Sequence, residues 1–505
     1  MTVAQEVRTL AIVGAGTMGR GIAQIAAASG LEVCLFDSRP GAAEEARDSI
    51  ATALRHLVEK GRMPAAAAAA ANGRMRVAGS LAALAPADVV IEAVVEDLEI
   101  KHALFRDLEK VFTDTVLATN TSSLSVTAIA AGCRRPERIA GFHFFNPVPL
   151  MKLVEVIGGE LTDAKLLDLS IALAHRVGHQ PVRAADTPGF LVNHAGRGYG
   201  TEALRILGEG IAQPVDVDRI LRDAAGFRMG PFELFDLTSL DVSHPTMESI
   251  YEQYYQEPRY RPSPITRARL AAGLVGKKVG RGFYAYVDGK QIVPEEAPAP
   301  ASRPASVWIG DGDPASRAAL VALARAANVT VEDAPRPTAT ALCLVAPLGL
   351  DATVAALAQE LDPTRTVAVD TFLGLDRRRT LMTTPVTAPA MAAAAHGLFA
   401  DDGSAVTVIH DSPGFVVQRV LAGIVNIACD IAQQRIATPA DIDRAVTFGL
   451  GYPQGPLAWG DALGPSRVLT ILEALQRLYG DPRYRPSPWL RRRAALGVSL
   501  LTPEN

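Results

Sequence analysis

The sequence repeats part of itself about 225 positions further along the chain. Pro188-Gly189-Phe190 recurs as Pro413-Gly414-Phe415, and the octet that begins at Glu257 returns nearly intact from Asp481. Self-similarity at a fixed spacing is the signature of a duplicated structural unit. Because apolar residues recur at helical spacing within the repeated stretch, we predict a helical domain that is present twice.

The composition limits the class of protein and its partners. Hydrophobic residues make up 49% of the chain and charged residues 21%, with a formal net charge of −4. A globular protein without overall attraction for nucleic acid or an anionic membrane is therefore expected. The four cysteines form no C-x-x-C pair and the histidines show no metal-ligand spacing, so we predict no metal site and no disulfide framework. These features are typical of a cytoplasmic protein.

The N-terminal part of the chain alternates short apolar runs with helical patterns. A run from Leu10 to Val13 ends in a glycine-rich turn, and further runs end near Asp37, Ala93 and Ala118. Strands that alternate with helices predict a parallel, doubly wound α/β sheet of the Rossmann type. An insertion of helical composition over about 42–76 carries several basic residues and predicts a helical hairpin beside the sheet.

The glycine turn has the features of a dinucleotide site. Its glycines would permit a tight turn, close approach of a pyrophosphate and close helix packing, and the helix N terminus would supply free N–H groups. Asp37 ends the second strand, where a carboxylate accepts hydrogen bonds from a ribose diol and repels a 2′-phosphate. We therefore predict NAD rather than NADP as the cofactor. The predicted phosphate-binding turn consists of Gly14, Gly16, Thr17, Met18 and Gly19.

His143 and Glu155 are candidates for proton transfer. His143 lies in the segment Gly-Phe-His-Phe-Phe-Asn-Pro, and Glu155 lies on the next apolar segment. An imidazole can remove a hydroxyl proton near neutral pH, and a carboxylate beside it would orient the ring. A buried structural histidine and a solvated carboxylate are the alternative, because the sequence does not show that the two residues touch.

The middle of the chain begins like the N-terminal domain but differs in charge. Asp311 and Asp313 stand where a pyrophosphate would need neutral backbone donors, and carboxylates repel phosphate. We predict a degenerate Rossmann-like domain that supports the structure and does not bind a dinucleotide. The predicted organisation is a Rossmann domain over 1–186, a helical domain over 187–293, a linker over 294–304, the degenerate domain over 305–410 and the second helical domain over 411–505.

Several motifs together resemble the L-3-hydroxyacyl-CoA dehydrogenase family. The resemblance covers residues 8–287 and implies hydride transfer from C3 of an L-3-hydroxyacyl-CoA to NAD, which gives a 3-oxoacyl-CoA. The long form resembles bacterial 3-hydroxyadipyl-CoA and 3-hydroxybutyryl-CoA dehydrogenases, which implies a role in phenylacetate catabolism or fatty-acid β-oxidation. The motifs stand in the family's order at 14–23, 91–96 with Lys101, 120–124, 143–147, 151–155, 186–193 and 276–284.

The resemblance implies a role for each matching residue. His143 would be the general base for the 3-hydroxyl, and Glu155 its orienting partner. Ser122 and Asn193 would donate hydrogen bonds to the substrate oxygen, and Lys60, in the helical insertion, would bind the phosphates of coenzyme A. The other implied cofactor contacts are Glu96, Lys101, Ser122, Asn146 and Lys278.

The second copy departs from the catalytic pattern. Residues 376–390, where a counterpart of His143 is expected, contain no histidine, and Gln418 replaces Asn193. We therefore predict one active site per chain. In shorter relatives the helical domain makes the dimer contact, so we expect the two copies to pack as an internal pseudo-dimer; pairing of whole chains into a homodimer stays open.

Two other functions fit parts of the sequence. An NAD-dependent dehydrogenase of a small free hydroxy acid could use the same scaffold, although the basic insertion with Lys60 favours a coenzyme A thioester. A non-catalytic nucleotide-binding or structural protein is the other alternative. It would have no need for His143, Glu155, Ser122 and Asn193 in the first half of the chain.

Overall fold

The computed structural model describes residues 7–504, which divide into two compact units. Of these residues, the first unit holds 7–194 together with Gln434–Leu450, and the second holds Ala195–Gln433 and 451–504. Part of the second helical copy therefore belongs to the same unit as the N-terminal sheet. The domain boundaries drawn from the sequence stay a prediction, because these units follow packing rather than the repeat.

Within the described residues, the first unit contains an eight-stranded sheet with the order β3-β2-β1-β4-β5-β6-β7-β8. All neighbouring strands are parallel except β6 and β7. The strands are β1 Thr9–Val13, β2 Glu32–Phe36, β3 Met75–Val77, β4 Val89–Glu92, β5 Val116–Thr119, β6 Ile139–Phe144, β7 Leu153–Gly158 and β8 Gln180–Ala185.

The sheet is parallel at the strands that the apolar runs predict, β1, β2, β4 and β5, and it turns antiparallel between β6 and β7. Only residues 145–152 join β6 to β7. A parallel neighbour would need a crossover of about a dozen residues or more, so a connection of this length leaves the antiparallel arrangement. In the resulting register His143 lies directly opposite Glu155.

Helices cover the sheet of the first unit and close its core. Alternate strand residues such as Val33 and Leu35, or Val154 and Val156, enter the core together with apolar residues of α1, α2 and α6, as the twofold side-chain period of a strand requires. The basic insertion forms the helices α2 and α3. The helices are α1 Thr17–Ala28, α2 Ala42–Glu59, α3 Ala65–Gly73, α4 Leu98–Val111, α5 Val126–Ala131, α6 Ala164–Arg176 and α7 Val192–Ala195.

The second unit combines helices with a smaller sheet. A short hairpin of β9 and β10, which the sequence analysis did not predict, comes before the sheet. The sheet has the order β12-β11-β13-β14-β15-β16, and only β14 and β15 run antiparallel. The strands are β9 Ala285–Val287, β10 Lys290–Ile292, β11 Ser306–Ile309, β12 Thr330–Glu332, β13 Leu342–Val345, β14 Thr366–Val369, β15 Arg379–Thr383 and β16 Val406–Ile409.

The remaining helices complete the two helical copies and the second sheet. They are α8 Arg197–Gly208, α9 Pro214–Arg219, α10 Pro231–Thr238, α11 Leu240–Gln253, α12 Pro264–Ala271, α13 Pro314–Ala326, α14 Ala352–Ala358, α15 Pro389–Phe399, α16 Val416–Gln433, α17 Pro439–Ala445, α18 Pro456–Leu463, α19 Pro465–Tyr479 and α20 Pro488–Leu496. Among the described residues, α16 is the one helix long and apolar enough to cross a membrane, and 83% of it is buried inside the protein.

Equivalent residues of the two copies make equivalent contacts. In the second unit α8 packs on α16, where a Cβ on Gly198 would lie 3.6 Å from Gly423, its counterpart in the repeat. In the first unit the N–H of Ala185 donates to the carbonyl of Ile436 at 2.8 Å; in the second, the N–H of His410 donates to the carbonyl of Ile211 at 3.0 Å. The duplication in the sequence is thus also a duplication of contacts.

Candidate active site

The predicted proton-transfer pair is in contact. Nδ1 of His143 lies 2.6 Å from Oε2 of Glu155, and 6% and 0% of the two side chains are exposed. An ionised carboxylate only accepts hydrogen bonds, so it holds the proton on Nδ1 and leaves Nε2 as the basic nitrogen. The rings of Phe145 and Phe190 lie 4.5 and 5.8 Å from the imidazole, centre to centre. The histidine is therefore held in one tautomer within an apolar surrounding.

The second oxygen of Glu155 is bound by backbone groups that the sequence analysis did not identify. The N–H groups of Leu191 and Val192 donate to Oε1 at 2.9 and 2.8 Å. They lie at the start of α7, directly after Gly189 and Phe190, which both have positive φ. This turn aims two N–H groups at one oxygen and fixes the carboxylate against His143.

Glu96 organises the turn that follows β5. One of its oxygens, Oε1, accepts the Thr121 hydroxyl and the N–H of Ser122 at 2.7 Å, and the N–H of Ser123 at 2.9 Å. Burial raises the pKa of Glu96, but these hydrogen bonds and the charge of Lys101 outweigh burial and lower the pKa below its usual value. The predicted cofactor residues Glu96 and Ser122 therefore lie together.

Lys101 is a buried partner of two carboxylates. Its ammonium lies 2.6 Å from Oε1 of Glu92 and 3.5 Å from Oε2 of Glu96, and 1% of its side chain is exposed. Glu92, which the sequence analysis did not single out, also accepts the hydroxyl of Thr119 at 2.7 Å. Lys101 thus positions Glu96, and its direct contact with a cofactor stays a prediction.

The turn of Glu96 and the imidazole of His143 lie at the ends of neighbouring strands. β5 and β6 pair in parallel, with Thr119 opposite Gly141, and the Asn120 side chain accepts the N–H of Phe144 at 2.9 Å. Ser122, after β5, and His143, near the end of β6, therefore both lie at the carboxyl edge of the sheet, where open α/β sheets bind ligands. Asn193 lies in α7, next to Val192. Hydrogen bonds from Ser122 and Asn193 to a substrate stay predictions.

The glycine turn fits the phosphates of a dinucleotide. Gly14 has φ 105°, and a Cβ there would lie 2.5 Å from the Ala93 carbonyl oxygen, whereas a Cβ on Gly16 would meet nothing within 4 Å. Gly16 is the N-cap residue of α1; no side chain caps this helix, and its first turn, with Thr17, Met18 and Gly19, has no acidic residue. Free N–H groups at an open helix N terminus bind an anionic pyrophosphate.

Asp37 supports the turn in addition to its predicted role. Its Oδ2 accepts the N–H of Ala15 at 2.7 Å, and its Oδ1 accepts the N–H of Arg39 at 2.9 Å. Each oxygen retains capacity for another donor, as a ribose diol requires. The residues that would hold NAD are thus preorganised around the first glycine turn.

Residues of α1, α2 and the loop after β6 line a cavity of about 170 Å³. Two predicted cofactor residues, Thr17 and Asn146, contribute to it, together with Arg20 and Ser49. Lys60 follows the end of α2 and is exposed, about 16 Å along the helix from Ser49 at 1.5 Å per residue. Lys60 therefore does not belong to this cavity, and its contact with coenzyme A stays a prediction.

Lys278 lies in the second unit. Its ammonium pairs with Asp241, and about half of the side chain is exposed. The predicted contact of Lys278 with the cofactor stays a prediction. Among residues 7–504, no group of three or more His, Cys, Asp or Glu side chains could hold a metal ion.

The corresponding helix of the second sheet is closed by its own carboxylate. The Asp313 side chain accepts the N–H of Ser316 at 2.9 Å and caps the N terminus of α13. A carboxylate at this helix N terminus disfavours a pyrophosphate there, and the absence of dinucleotide binding by this domain stays a prediction.

The structure corrects where the counterpart of His143 lies. β14 and β15 form the antiparallel pair that corresponds to β6 and β7, and Asp370, the residue directly after β14, donates its N–H to the Thr380 carbonyl. Thr380 pairs with Thr407 as Glu155 pairs with Val182. The counterparts of His143 and Glu155 are therefore Asp370 and Thr380. Asp370 lies before residues 376–390, because the repeat spacing of 225 already places the counterpart of His143 near position 368.

Gln418 fills the remainder of this second site. Its Nε2 donates to Oδ1 of Asp370 at 3.0 Å, and its Oε1 accepts the N–H of Gly349 at 2.8 Å. Gln418 is fully buried. The second copy thus has neither the imidazole nor the carboxylate of the first, in agreement with one active site per chain.

Two family models match the chain. The model for the NAD-binding domain of 3-hydroxyacyl-CoA dehydrogenase matches residues 9–187. The model for the C-terminal domain of 3-hydroxyacyl-CoA dehydrogenase matches residues 189–286 and again 414–499. The second match confirms that the helical domain is duplicated.

Individual relatives agree with these models. The chain is 39% identical to a 3-hydroxyadipyl-CoA dehydrogenase of Escherichia coli K12, over 97% of this chain and 98% of that protein. It is 38% identical to a probable 3-hydroxybutyryl-CoA dehydrogenase of Bacillus subtilis 168, over 56% of this chain and 98% of that protein. A crystal structure of 3-hydroxybutyryl-CoA dehydrogenase from Escherichia coli K12 has a TM-score of 0.84 and 37% identity, and the match covers 97% of this chain and 99% of that one. The chain therefore belongs to the 3-hydroxyacyl-CoA dehydrogenase family and is an NAD-dependent oxidoreductase that acts on 3-hydroxyacyl-CoA.

Proposed function

We propose that the preferred substrate is 3-hydroxyadipyl-CoA, which the chain oxidises at C3 to the 3-oxoacyl-CoA. The observation that carries this proposal is the match to the relative named for that substrate, which extends over 97% of the chain and includes the second helical copy. Short relatives named for 3-hydroxybutyryl-CoA match only 54–56% of the chain. This substrate would place the chain in the breakdown of aromatic acids such as phenylacetate.

The His143–Glu155 pair is proposed to supply the base. Nε2 of His143 takes the proton of the 3-hydroxyl as the C–H bond breaks, and the imidazolium that forms is stabilised by Glu155, 2.6 Å from Nδ1. NAD, when bound, accepts the hydride from C3. The N–H groups of Leu191 and Val192 keep Glu155 in place while the charge on the ring changes.

Ser122 and Asn193 are proposed to orient the substrate oxygen. Glu96 holds the backbone of Ser122 at the carboxyl edge of the sheet, at 2.7 Å from its N–H. The Ser122 hydroxyl lies 3.3 Å from the same carboxylate, a longer contact that a substrate oxygen can replace at little cost. Asn193 directly follows Leu191 and Val192, which bind Glu155, so the same turn positions Asn193 and the base. Lys60 is proposed to bind the nucleotide phosphates of coenzyme A.

3-Hydroxybutyryl-CoA is the second candidate substrate. The structure named for that activity in Escherichia coli K12 matches 97% of this chain with a TM-score of 0.84. The butyryl chain has no distal carboxylate and requires no group to bind one. The ratio of kcat/KM for the adipyl substrate to kcat/KM for the butyryl substrate therefore distinguishes the two candidates.

Purified protein with NAD and a panel of 3-hydroxyacyl-CoA substrates tests the proposal. We expect kcat/KM to be at least about 10-fold higher for L-3-hydroxyadipyl-CoA than for L-3-hydroxybutyryl-CoA. A site built to bind the distal carboxylate of the adipyl chain would leave its binding group unpaired when the butyryl substrate is bound. A preference for the butyryl substrate would support the second candidate. Turnover of free hydroxy acids alone would contradict both.

We further propose a cytoplasmic location for this enzyme. Among the described residues, no disulfide links the cysteines Cys34, Cys133, Cys343 and Cys429, which suits a reducing compartment. Fractionation of the source cells would test the location. Analytical ultracentrifugation would test whether whole chains pair into a homodimer in addition to the contact between α8 and α16.

A further inference from the structure

A segment of the second helical copy packs beside the catalytic strands of the first unit. This segment, Gln434–Leu450, contains α17 and the π-helical turn Val446–Leu450. Its Ile436 carbonyl accepts the N–H of Ala185 at the end of β8 at 2.8 Å, and α17 packs on that strand. The segment is thus attached to the strand next to β7, which bears Glu155.

Gly449 makes the closest approach of this segment to the catalytic pair. A Cβ at this position would lie 2.8 Å from Cδ2 of Leu153 and 3.1 Å from both γ-carbons of Val192. Both distances are shorter than ordinary van der Waals contact, and packed interiors transmit such displacements. A side chain at 449 would therefore have to push Leu153, Val192 or both.

Both of these neighbours flank Glu155. Leu153 lies two residues before Glu155 on β7, so their side chains leave the same face of the strand. Val192 donates its N–H to Oε1 of Glu155 at 2.8 Å, and Oε2 of Glu155 binds His143. A shift of Val192 would therefore move the carboxylate that orients the base.

We infer that Gly449 is a positioning residue for catalysis: the second helical copy supports Val192, and through it Glu155 and His143. This inference rests on the proposed function of the His143–Glu155 pair. At the repeat spacing of 225, the first copy has Ala224 at this position. That copy belongs to the second unit, whose sheet carries Asp370 and Thr380 in place of the catalytic pair. The glycine thus occurs in the copy that packs beside a working site.

Substitution of Gly449 by valine, with Gly312→Val as the matched control, tests the inference. A Cβ on Gly312 would meet nothing within 4 Å. We expect Gly449→Val to lower kcat about 10- to 100-fold, because misplacement of a catalytic group by about 1 Å lowers the rate by up to about that factor. The KM for NAD and the KM for the 3-hydroxyacyl-CoA should stay within about 3-fold of wild type. An unchanged kcat would overturn the inference.

A double-mutant cycle separates positioning from general damage. If Gly449 acts through Glu155, Gly449→Val should lower kcat by less than about 3-fold in a Glu155→Gln background, since coupled residues are not additive. A loss as large as in the wild-type background would overturn the inference. If the valine variant does not fold, Gly449→Ala, which adds one carbon, takes its place. The double variant Gly449→Ala/Val192→Ala removes the opposing γ-carbons of Val192 and should restore part of the lost kcat. No restoration would count against the inference.

Amide hydrogen exchange tests the same contact without substrate. We expect the N–H groups of Leu191 and Val192 to exchange faster in Gly449→Val than in wild type and to stay unchanged in Gly312→Val. Unchanged exchange in the Gly449 variant would overturn the inference even if the protein is an active dehydrogenase. If the wild-type protein is inactive on every 3-hydroxyacyl-CoA and Gly449→Val still exchanges faster than wild type, the proposed function is refuted and the structural contact stands.

Discussion

His143 and Glu155 occupy one register position of the antiparallel strands β6 and β7, with 2.6 Å between Nδ1 and Oε2. Backbone pairing on both sides of this position fixes the two Cα atoms, so the contact does not depend on a loop. The second oxygen of Glu155 also has hydrogen-bond donors, because it accepts the N–H groups of Leu191 and Val192. Such an arrangement preorganises the base before substrate binds.

Replacement of His143 by glutamine should lower kcat by about two to four orders of magnitude, since general-base catalysis typically contributes that much. The glycine turn and Asp37, which are predicted to bind the cofactor, lie outside this pair, so the Kd for NAD should stay within about 3-fold of wild type. NADH absorbance measures turnover, and titration calorimetry measures NAD binding. Near-normal turnover would exclude His143 as the base.

Replacement of Asp37 by alanine should weaken NAD binding about 10-fold and reduce the preference for NAD over NADP. Two effects would contribute, because the carboxylate is predicted to bind the ribose and also accepts the N–H of Ala15 at 2.7 Å. Asp37→Asn keeps an acceptor for the N–H of Ala15 and removes the charge, so this variant separates the support of the turn from the effect of the charge on the cofactor. We expect the asparagine variant to lose discrimination against NADP and to retain more affinity for NAD than the alanine variant. Equal affinities for NAD in both variants and wild type would contradict the ribose contact.

Local patterns were sufficient to predict the first half of the site. The apolar run before Gly14 and the helical pattern after Gly19 place the glycine turn between β1 and α1, where the structure has it. The apolar runs likewise predict β1, β2, β4 and β5, whereas the short strand β3, Met75–Val77, begins within the stretch predicted as helical. These features follow from side-chain spacing and turn chemistry within a few residues.

Contacts between distant segments could not be predicted in the same way. The bond between Glu155 and Val192, the buried pair of Glu92 and Lys101, and the approach of Gly449 to Val192 all join residues that no local period relates. One signal was available: Glu92 is a carboxylate at the end of the apolar strand Val89–Glu92, and a buried charge requires a partner. The spacing of Glu92 to Lys101 alone did not identify that partner.

Replacement of Lys101 by methionine should destabilise the protein by about 3 to 5 kcal/mol, because it leaves the carboxylate of Glu92 buried without a counter-charge. The free energy of unfolding from urea titration checks this expectation. The double variant Glu92→Gln/Lys101→Met removes both charges and should recover most of the loss. A single variant as stable as wild type would show that the ion pair does not hold Glu96 and its turn.

Replacement of Asp370 by asparagine should stabilise the protein at neutral pH and not in acid. Burial raises the pKa of Asp370 to about 6, although the amide of Gln418 opposes the rise. The unfolded carboxyl has a pKa near 3.9, so the folded state binds the proton more tightly, and stability falls as pH rises from about 4 to 6. The asparagine variant avoids this cost and should gain about 3 kcal/mol at pH 7.5 and almost nothing near pH 4. Urea titrations at both pH values measure the difference, with the exposed Asp376→Asn as control; an equal gain at both would exclude titration of Asp370 as the cause.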